Sequence, residues 1–171
     1  DCHEVEPCCS SKFVNMPNVL LTPHIGSYAR EARVIMEIQA AENLIKEYQH
    51  WVILLRPQQV TLGSLVLASK DKSQAMSELS PDAFMELSQV TKEIESALKN
   101  LFDYDKINYL VLMMVDKYVH FHVVPRYMSD KVFNDISFKD YGYPKFPDLS
   151  KVNDLNQSDF NKLKELMKKN F

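Results

Sequence analysis

Two histidines lie two residues apart in the stretch 118–126, which reads YVHFHVVPR. Alternate side chains of a β-strand share a face, so His120 and His122 are expected on one side and the apolar residues around them on the other. The two imidazoles are then about 6.6 Å apart along the strand, which suits two contacts to one phosphate group. The same spacing suits two metal ligands, but the neighbouring sequence offers no evident third ligand.

An imidazole pair of this kind has a definite chemistry. A neutral ring nitrogen can attack phosphorus directly, while its partner donates hydrogen bonds to the phosphate oxygens. The alternative is a pair of histidines on the solvated face of an antiparallel sheet, with no catalytic role. The two-residue connection Asp116-Lys117 before the stretch, and the residues Val124-Pro125-Arg126-Tyr127 within and after it, favour the catalytic interpretation.

The sequence YVHFHVVPRY at 118–127 resembles the signature of the histidine triad (HIT) superfamily, in which three histidines alternate with apolar residues. The resemblance extends over residues 47–171. It implies that His120, in the middle position, attacks the α-phosphate of a nucleotide and forms a nucleotidyl-histidine. His122 takes the third position. Tyr118 takes the first position, where the family has a histidine.

Four further residues are candidates for substrate binding. The hydroxyl of Tyr118 can donate one hydrogen bond but is neutral at pH 7. Ser64 lies beside Gly63, near which members of the superfamily often have another histidine. The guanidinium groups of Arg56 and Arg126 are candidate phosphate contacts, although Arg126 could equally pair with an acid such as Asp140.

The resemblance implies a nucleotide phosphohydrolase or nucleotidyl transferase that needs no metal ion or cofactor. Its expected substrate is a nucleotide or dinucleoside polyphosphate, and a homodimer is implied. The competing interpretation is a nucleotide-binding module that lost turnover when Tyr118 and Ser64 replaced histidines.

Residues 1–46 resemble a different family. The sequence MPNVLLTPHIGSYAREA at 16–32 is similar to the C-terminal part of NAD-dependent D-2-hydroxyacid dehydrogenases, in which the histidine at the position of His24 is the catalytic acid. The 171 residues do not include the glycine-rich nucleotide fold of that family. We therefore interpret residues 1–46 as a remnant segment ending in a helix, and a dehydrogenase fragment as the least favoured function.

Local patterns predict an α+β fold over residues 47–171, an antiparallel meander sheet with a long central helix, and an N-terminal loop-and-helix appendage over residues 1–46. The resemblance to the HIT superfamily implies that the fold of residues 47–171 is HIT-like. The predicted elements are a helix at 29–48, a hairpin of strands within 50–59 and 61–70, a helix beginning at Ser80-Pro81-Asp82, strands at 107–115 and 118–124, and a last helix after Ser158.

Composition narrows the function class. The 171 residues carry a net charge of -3, which gives no basic footprint for nucleic acid or an anionic membrane surface. The apolar runs are too short to span a bilayer. All three cysteines fall in the first nine residues, without a secretion signal, which favours reduced thiols in the cytoplasm.

Overall fold

The computed structural model describes residues 42–114 and 116–171, and Asn43–Phe171 forms one compact unit. Within the described residues, a five-stranded antiparallel sheet has the strand order β1-β2-β3-β5-β4, and β6 and β7 form a small second sheet. The strands are β1 Leu44–Glu47, β2 Trp51–Leu55, β3 Leu65–Ser69, β4 Lys106–Leu110, β5 His120–Arg126, β6 Lys131–Phe133 and β7 Ile136–Phe138. The helices are α1 Pro81–Phe102 and α2 Gln157–Lys168, with a short 3₁₀ turn at Met76–Glu78. The predicted α+β fold class is confirmed.

The long helix α1 begins where its capping signals predict. The Ser80 hydroxyl accepts a hydrogen bond from the Ala83 amide at 3.1 Å, and Pro81 occupies the first turn, where its missing N–H costs nothing. The indole of Trp51 on β2 donates to the Ala83 carbonyl at 2.8 Å, which ties the start of α1 to the sheet. The residues of α1 that are buried in the core are Ala83, Val90, Ile94, Ala97, Leu98 and Phe102.

The hairpin of β2 and β3 is also confirmed, with pairs running from Trp51↔Ser69 to Leu55↔Leu65. Gly63 in its connecting loop has a φ of +81°, a conformation that L side chains rarely adopt. A Cβ there would lie 2.9 Å from the Phe102 ring, so the loop and the end of α1 approach closely only because this residue is glycine.

The prediction of a helix over residues 29–48 is wrong at its C-terminal end. Leu44–Glu47 is strand β1, which pairs antiparallel with β2. Ile45 is buried in the core and Lys46 bonds Glu93 of α1, so edge pairing with β2 decides the local structure over the helical spacing of the apolar residues. The proposed boundary between residues 46 and 47 therefore falls inside β1. The rest of the expected helix, up to residue 41, and His24 lie outside the described residues.

The connection between β4 and β5 also differs from expectation. The two strands do pair antiparallel, but the ladder ends at Leu110↔His122, and residues 111–114 and 116–119 lie outside both strands in place of a two-residue turn. The reason lies in the backbone of Val119, whose amide donates to Ser73 and whose carbonyl accepts from Ser69 at the end of β3. The chain before His120 is therefore held towards β3 and does not continue alongside β4.

In the part of the chain that the structure describes, no helix is both long enough and apolar enough to cross a bilayer.

Candidate active site

Strand β5 divides its side chains between the two faces of the sheet, as its alternation predicts. Val123 is buried in the core, and the ring of Phe121 lies 5.7 Å from that of Trp51, measured between ring centroids. His120 and His122 lie on the opposite face, with ring centroids 5.0 Å apart and planes at 88°. The sheet therefore brings the two imidazoles edge to face on the side away from the core.

His120 is held in one tautomer by the main chain. Its Nδ1 lies 2.7 Å from the carbonyl oxygen of Tyr118, and because a carbonyl only accepts, Nδ1 must carry the proton. The free lone pair of the neutral ring is then on Nε2. The residue is only 5% exposed, so little of the ring reaches solvent. The hydrogen bond at Nδ1 therefore leaves Nε2 with the unshared electron pair that a nucleophile requires.

His122 is held in the opposite tautomer. Nη1 of Arg56 donates to its Nδ1 at 3.2 Å, and because a guanidinium only donates, Nδ1 must be the unprotonated nitrogen. Burial, the charge of Arg56 and the neighbouring His120 together lower the pKa of His122 to about 4. At neutral pH His122 is therefore an uncharged ring whose Nε2–H is a hydrogen-bond donor.

Arg56 directly follows β2, and hydrogen bonds within the loop 56–64 hold its backbone in place. The buried side chain of Gln59 accepts from the amides of Gly63 and Ser64 at 2.9 and 3.1 Å, and donates to the carbonyl oxygens of Arg56 and Ser64. Asn153 in turn bonds the backbone of Gln59. Sequence reasoning missed Gln59, because the partners of a buried amide are not visible in sequence.

Ser64 lies at the turn between β2 and β3, where its hydroxyl is hydrogen-bonded within the turn. Its side chain is fully buried, and its hydroxyl donates to the Thr61 carbonyl at 2.8 Å while accepting from the Thr61 amide at 3.0 Å. The hydroxyl closes the turn between β2 and β3, and its bonding is already satisfied without a ligand.

Arg126 lies in a buried hydrogen-bond network. Its Nε and Nη2 donate to the two carboxylate oxygens of Asp140 at 2.6 and 3.1 Å. Nη1 donates to Asn108 at 2.8 Å, and Nη2 also donates to the Lys145 carbonyl at 3.0 Å. The arginine and aspartate side chains are only 5% and 1% exposed, so the pairing with Asp140, the alternative at the sequence level, is the one observed.

Tyr118 contributes through its backbone in the structure. Its carbonyl oxygen orients His120, whereas 44% of the residue is exposed. Any residue type supplies that carbonyl, so a tyrosine in the first position of the motif preserves this function of the position. Sequence reasoning, which considered only the hydroxyl, missed it.

No cluster of three or more histidine, cysteine, aspartate or glutamate side chains that could hold a metal ion occurs within residues 42–114 and 116–171. The N-terminal cysteines lie outside this part of the chain.

The fold agrees with the comparisons to known proteins. The model of the HIT domain family matches residues 37–129, more than half of the chain, so this chain belongs to the HIT domain family. No curated protein matches it. The dehydrogenase resemblance of residues 1–46 is not borne out.

Solved structures of histidine triad proteins have the same fold. A histidine triad protein from Sinorhizobium meliloti is 18% identical with a TM-score of 0.63, covering 81% of this chain and 94% of that one. A histidine triad protein from Bradyrhizobium japonicum is 14% identical with a TM-score of 0.59, covering 75% and 91%. A hypothetical histidine triad nucleotide-binding protein from Sulfolobus tokodaii is 17% identical with a TM-score of 0.57, covering 75% and 82%.

Proposed function

We propose that the protein is a nucleotide phosphohydrolase or nucleotidyl transferase that acts at the α-phosphate through a nucleotidyl-histidine at His120. The observation that carries the proposal is the bond from His120 Nδ1 to the Tyr118 carbonyl. A histidine that serves only as a surface residue does not need a fixed tautomer, whereas a nucleophile needs its lone pair free and aimed.

The first step forms a bond between His120 Nε2 and the α-phosphorus and breaks the bond from phosphorus to the leaving group. The leaving group departs with the bonding electron pair and, where it is ammonia, with a proton taken from solvent. The ring then carries a positive charge, because Nδ1 keeps its proton, and the carbonyl of Tyr118 stabilises that charge. In the second step water attacks phosphorus and the P–N bond breaks. The products are the nucleoside monophosphate, a neutral imidazole and a proton released to solvent. A transferase uses another acceptor in place of water.

His122 and Arg56 support this chemistry. A neutral His122 can donate from Nε2–H to a phosphate oxygen throughout the reaction without first losing a charge. Arg56 holds His122 in the required tautomer, so it acts as a positioning residue. The hydroxyl of Tyr118 offers at most one neutral hydrogen bond, and we expect slow but measurable turnover.

We also propose a homodimer located in the cytoplasm. Within the described residues β4 lies at the edge of the sheet, paired only with β5, so its outer side is open to another strand. Light scattering coupled to size exclusion gives the mass directly, and a monomer at high concentration would contradict the dimer.

The clustered thiols of the N-terminal residues support the proposed location in the cytoplasm, which is a reducing compartment.

The experiment for this function is incubation with a panel of dinucleoside polyphosphates, nucleoside phosphoramidates and adenylylated adducts, followed by chromatography of released monophosphate. His120→Ala should abolish release, whereas His50→Ala, at the turn between β1 and β2, should not. If the protein binds nucleotide and never releases product, the binding-module interpretation replaces the enzyme.

A further inference from the structure

A pocket of about 470 Å³ lies on the same face of the sheet as the histidines. Its floor is formed by β4 and β5, and its wall by residues 143–147. The strand pairs Leu110↔His122, Asn108↔Val124 and Lys106↔Arg126 place these residues in successive rows. The pocket therefore begins beside His122 and extends along β5, away from His120.

The wall of the pocket is held by buried polar contacts. Arg126 connects Asp140, Asn108 on the floor and the carbonyl of Lys145 in the wall. Its guanidinium carbon also lies 6.0 Å from the centre of the Tyr143 ring. Because these groups satisfy one another, the wall is fixed before any ligand binds.

Three other groups of the pocket, the side chains of Lys106, Lys145 and Phe146, take no part in these polar contacts. Among the described residues, the ammonium groups of Lys106 and Lys145 make no ion pair, and the charge of Arg126 is offset by Asp140. Phe146 is 82% exposed although it lines the pocket. Two free cations suit an anion, and an exposed ring beside them suits stacking on a planar ring. The chemistry that fits is a planar ring carrying a phosphate.

We infer that this pocket binds the leaving group of the substrate and selects leaving groups that combine a phosphate with a planar ring. The inference rests on the proposed function. Attacking and leaving atoms lie roughly in line across phosphorus, so the leaving group departs on the side away from His120. Along β5 that side holds His122 and then the pocket. The four steps along the strand from His122 to Arg126 span about 13 Å, within reach of a phosphate-linked ring.

The kinetic test uses two substrates with the same adenylyl group. Attack at the α-phosphate of the 4-nitrophenyl ester of ADP releases 4-nitrophenyl phosphate, whereas adenosine 5′-phosphoramidate releases ammonia. In the double variant Lys106→Gln/Lys145→Gln, KM for the ester should rise by about tenfold or more relative to KM for the phosphoramidate, because two charge-assisted contacts are lost. The control variant Lys72→Gln/Lys92→Gln changes the same charge outside the pocket and should leave this ratio unchanged.

A binding test separates this inference from the proposed function. The turnover-deficient His120→Ala protein is titrated with 4-nitrophenyl phosphate, and amide chemical shifts are followed by NMR. We expect shifts in residues 106–110 and 143–147 that the double lysine variant loses. If neither substrate is turned over but these shifts occur, the proposed reaction fails and the pocket remains a ligand site. Absent shifts, or an unchanged KM ratio in the double variant, would overturn the inference.

Discussion

At the scale of single residues, the two histidines of the site are distinguished by their Nδ1 partners. A carbonyl acceptor gives His120 a free Nε2, and a guanidinium donor gives His122 an Nε2–H. The spacing of the two residues indicates a phosphate site. The spacing cannot assign these roles, because the carbonyl belongs to the backbone and Arg56, which directly follows β2, is 66 residues away in sequence from His122.

Removing the guanidinium should change the ionisation of His122. In Arg56→Gln we expect the pKa of His122 to rise from about 4 while staying below its ordinary value, because the repelling charge is lost and the burial remains. A histidine 15N titration by NMR measures this. Lys99→Gln, at the far end of α1, is the control. An unchanged His122 pKa would mean that Arg56 does not act on the ring.

The depressed pKa of His122 also predicts how stability depends on pH. Between pH 6.5 and about 4 the unfolded chain binds a proton at this residue that the folded chain does not, so stability falls as pH falls through that window. After allowance for the half-exposed site, the loss is about 1–2 kcal/mol. Urea unfolding of the protein and of His122→Gln across this range measures it. Parallel pH profiles for the two proteins would contradict the assignment.

A substitution at Tyr118 tests how much activity depends on a histidine at the first position of the motif. Since its carbonyl is retained by any substitution, Tyr118→His changes only the side chain at the first motif position. We expect a rate gain of up to about thirtyfold, which corresponds to about 2 kcal/mol of transition-state stabilisation. Steady-state rates of both proteins on the best nucleotide measure it. An unchanged or lower rate would show that tyrosine is fitted to this site.

At the scale of elements, the contact between β5 and the segment around residue 140 depends on one buried ion pair. Asp140→Asn leaves the buried Arg126 without its counter-charge, and we expect a loss of about 3 kcal/mol in the free energy of unfolding. Urea denaturation measures it, with the exposed Asp130→Asn as the control. A loss no larger than that of the control would contradict a structural role for the pair.

The same scale shows what sequence patterns could predict. Helix α1 was predictable because its cap, proline and apolar stripe are all local signals. Strand β1 was not, since its pairing with β2 and the bond from Lys46 to Glu93 override the helical spacing of its apolar residues. The backbone bonds of Val119 to Ser69 and Ser73 were not predictable either, because those partners are remote in sequence. The hydrogen bonds of Ser64 with Thr61 and of Arg126 with Asp140 depend on the folded backbone, and residue types alone do not specify them.

At the scale of the whole compact unit from Asn43 to Phe171, the two faces of the sheet have different roles. One face packs with α1 into the core, and the other holds the histidines and the pocket in a single row along β5. The signature alone located His120 and His122 on the free face, because strand alternation is a period-two rule. The pocket depends on residues 143–147, which follow no such rule, and only the structure places them.

The central claim is a covalent bond between His120 and the nucleotide. The most direct measurement is to quench the protein with an α-phosphate-labelled substrate under alkaline conditions, digest it and locate the label by mass spectrometry. The account predicts a nucleotidyl group on the peptide containing His120, absent in His120→Ala and present in His50→Ala. Turnover without an adduct at His120, or an adduct on any other residue, would contradict it.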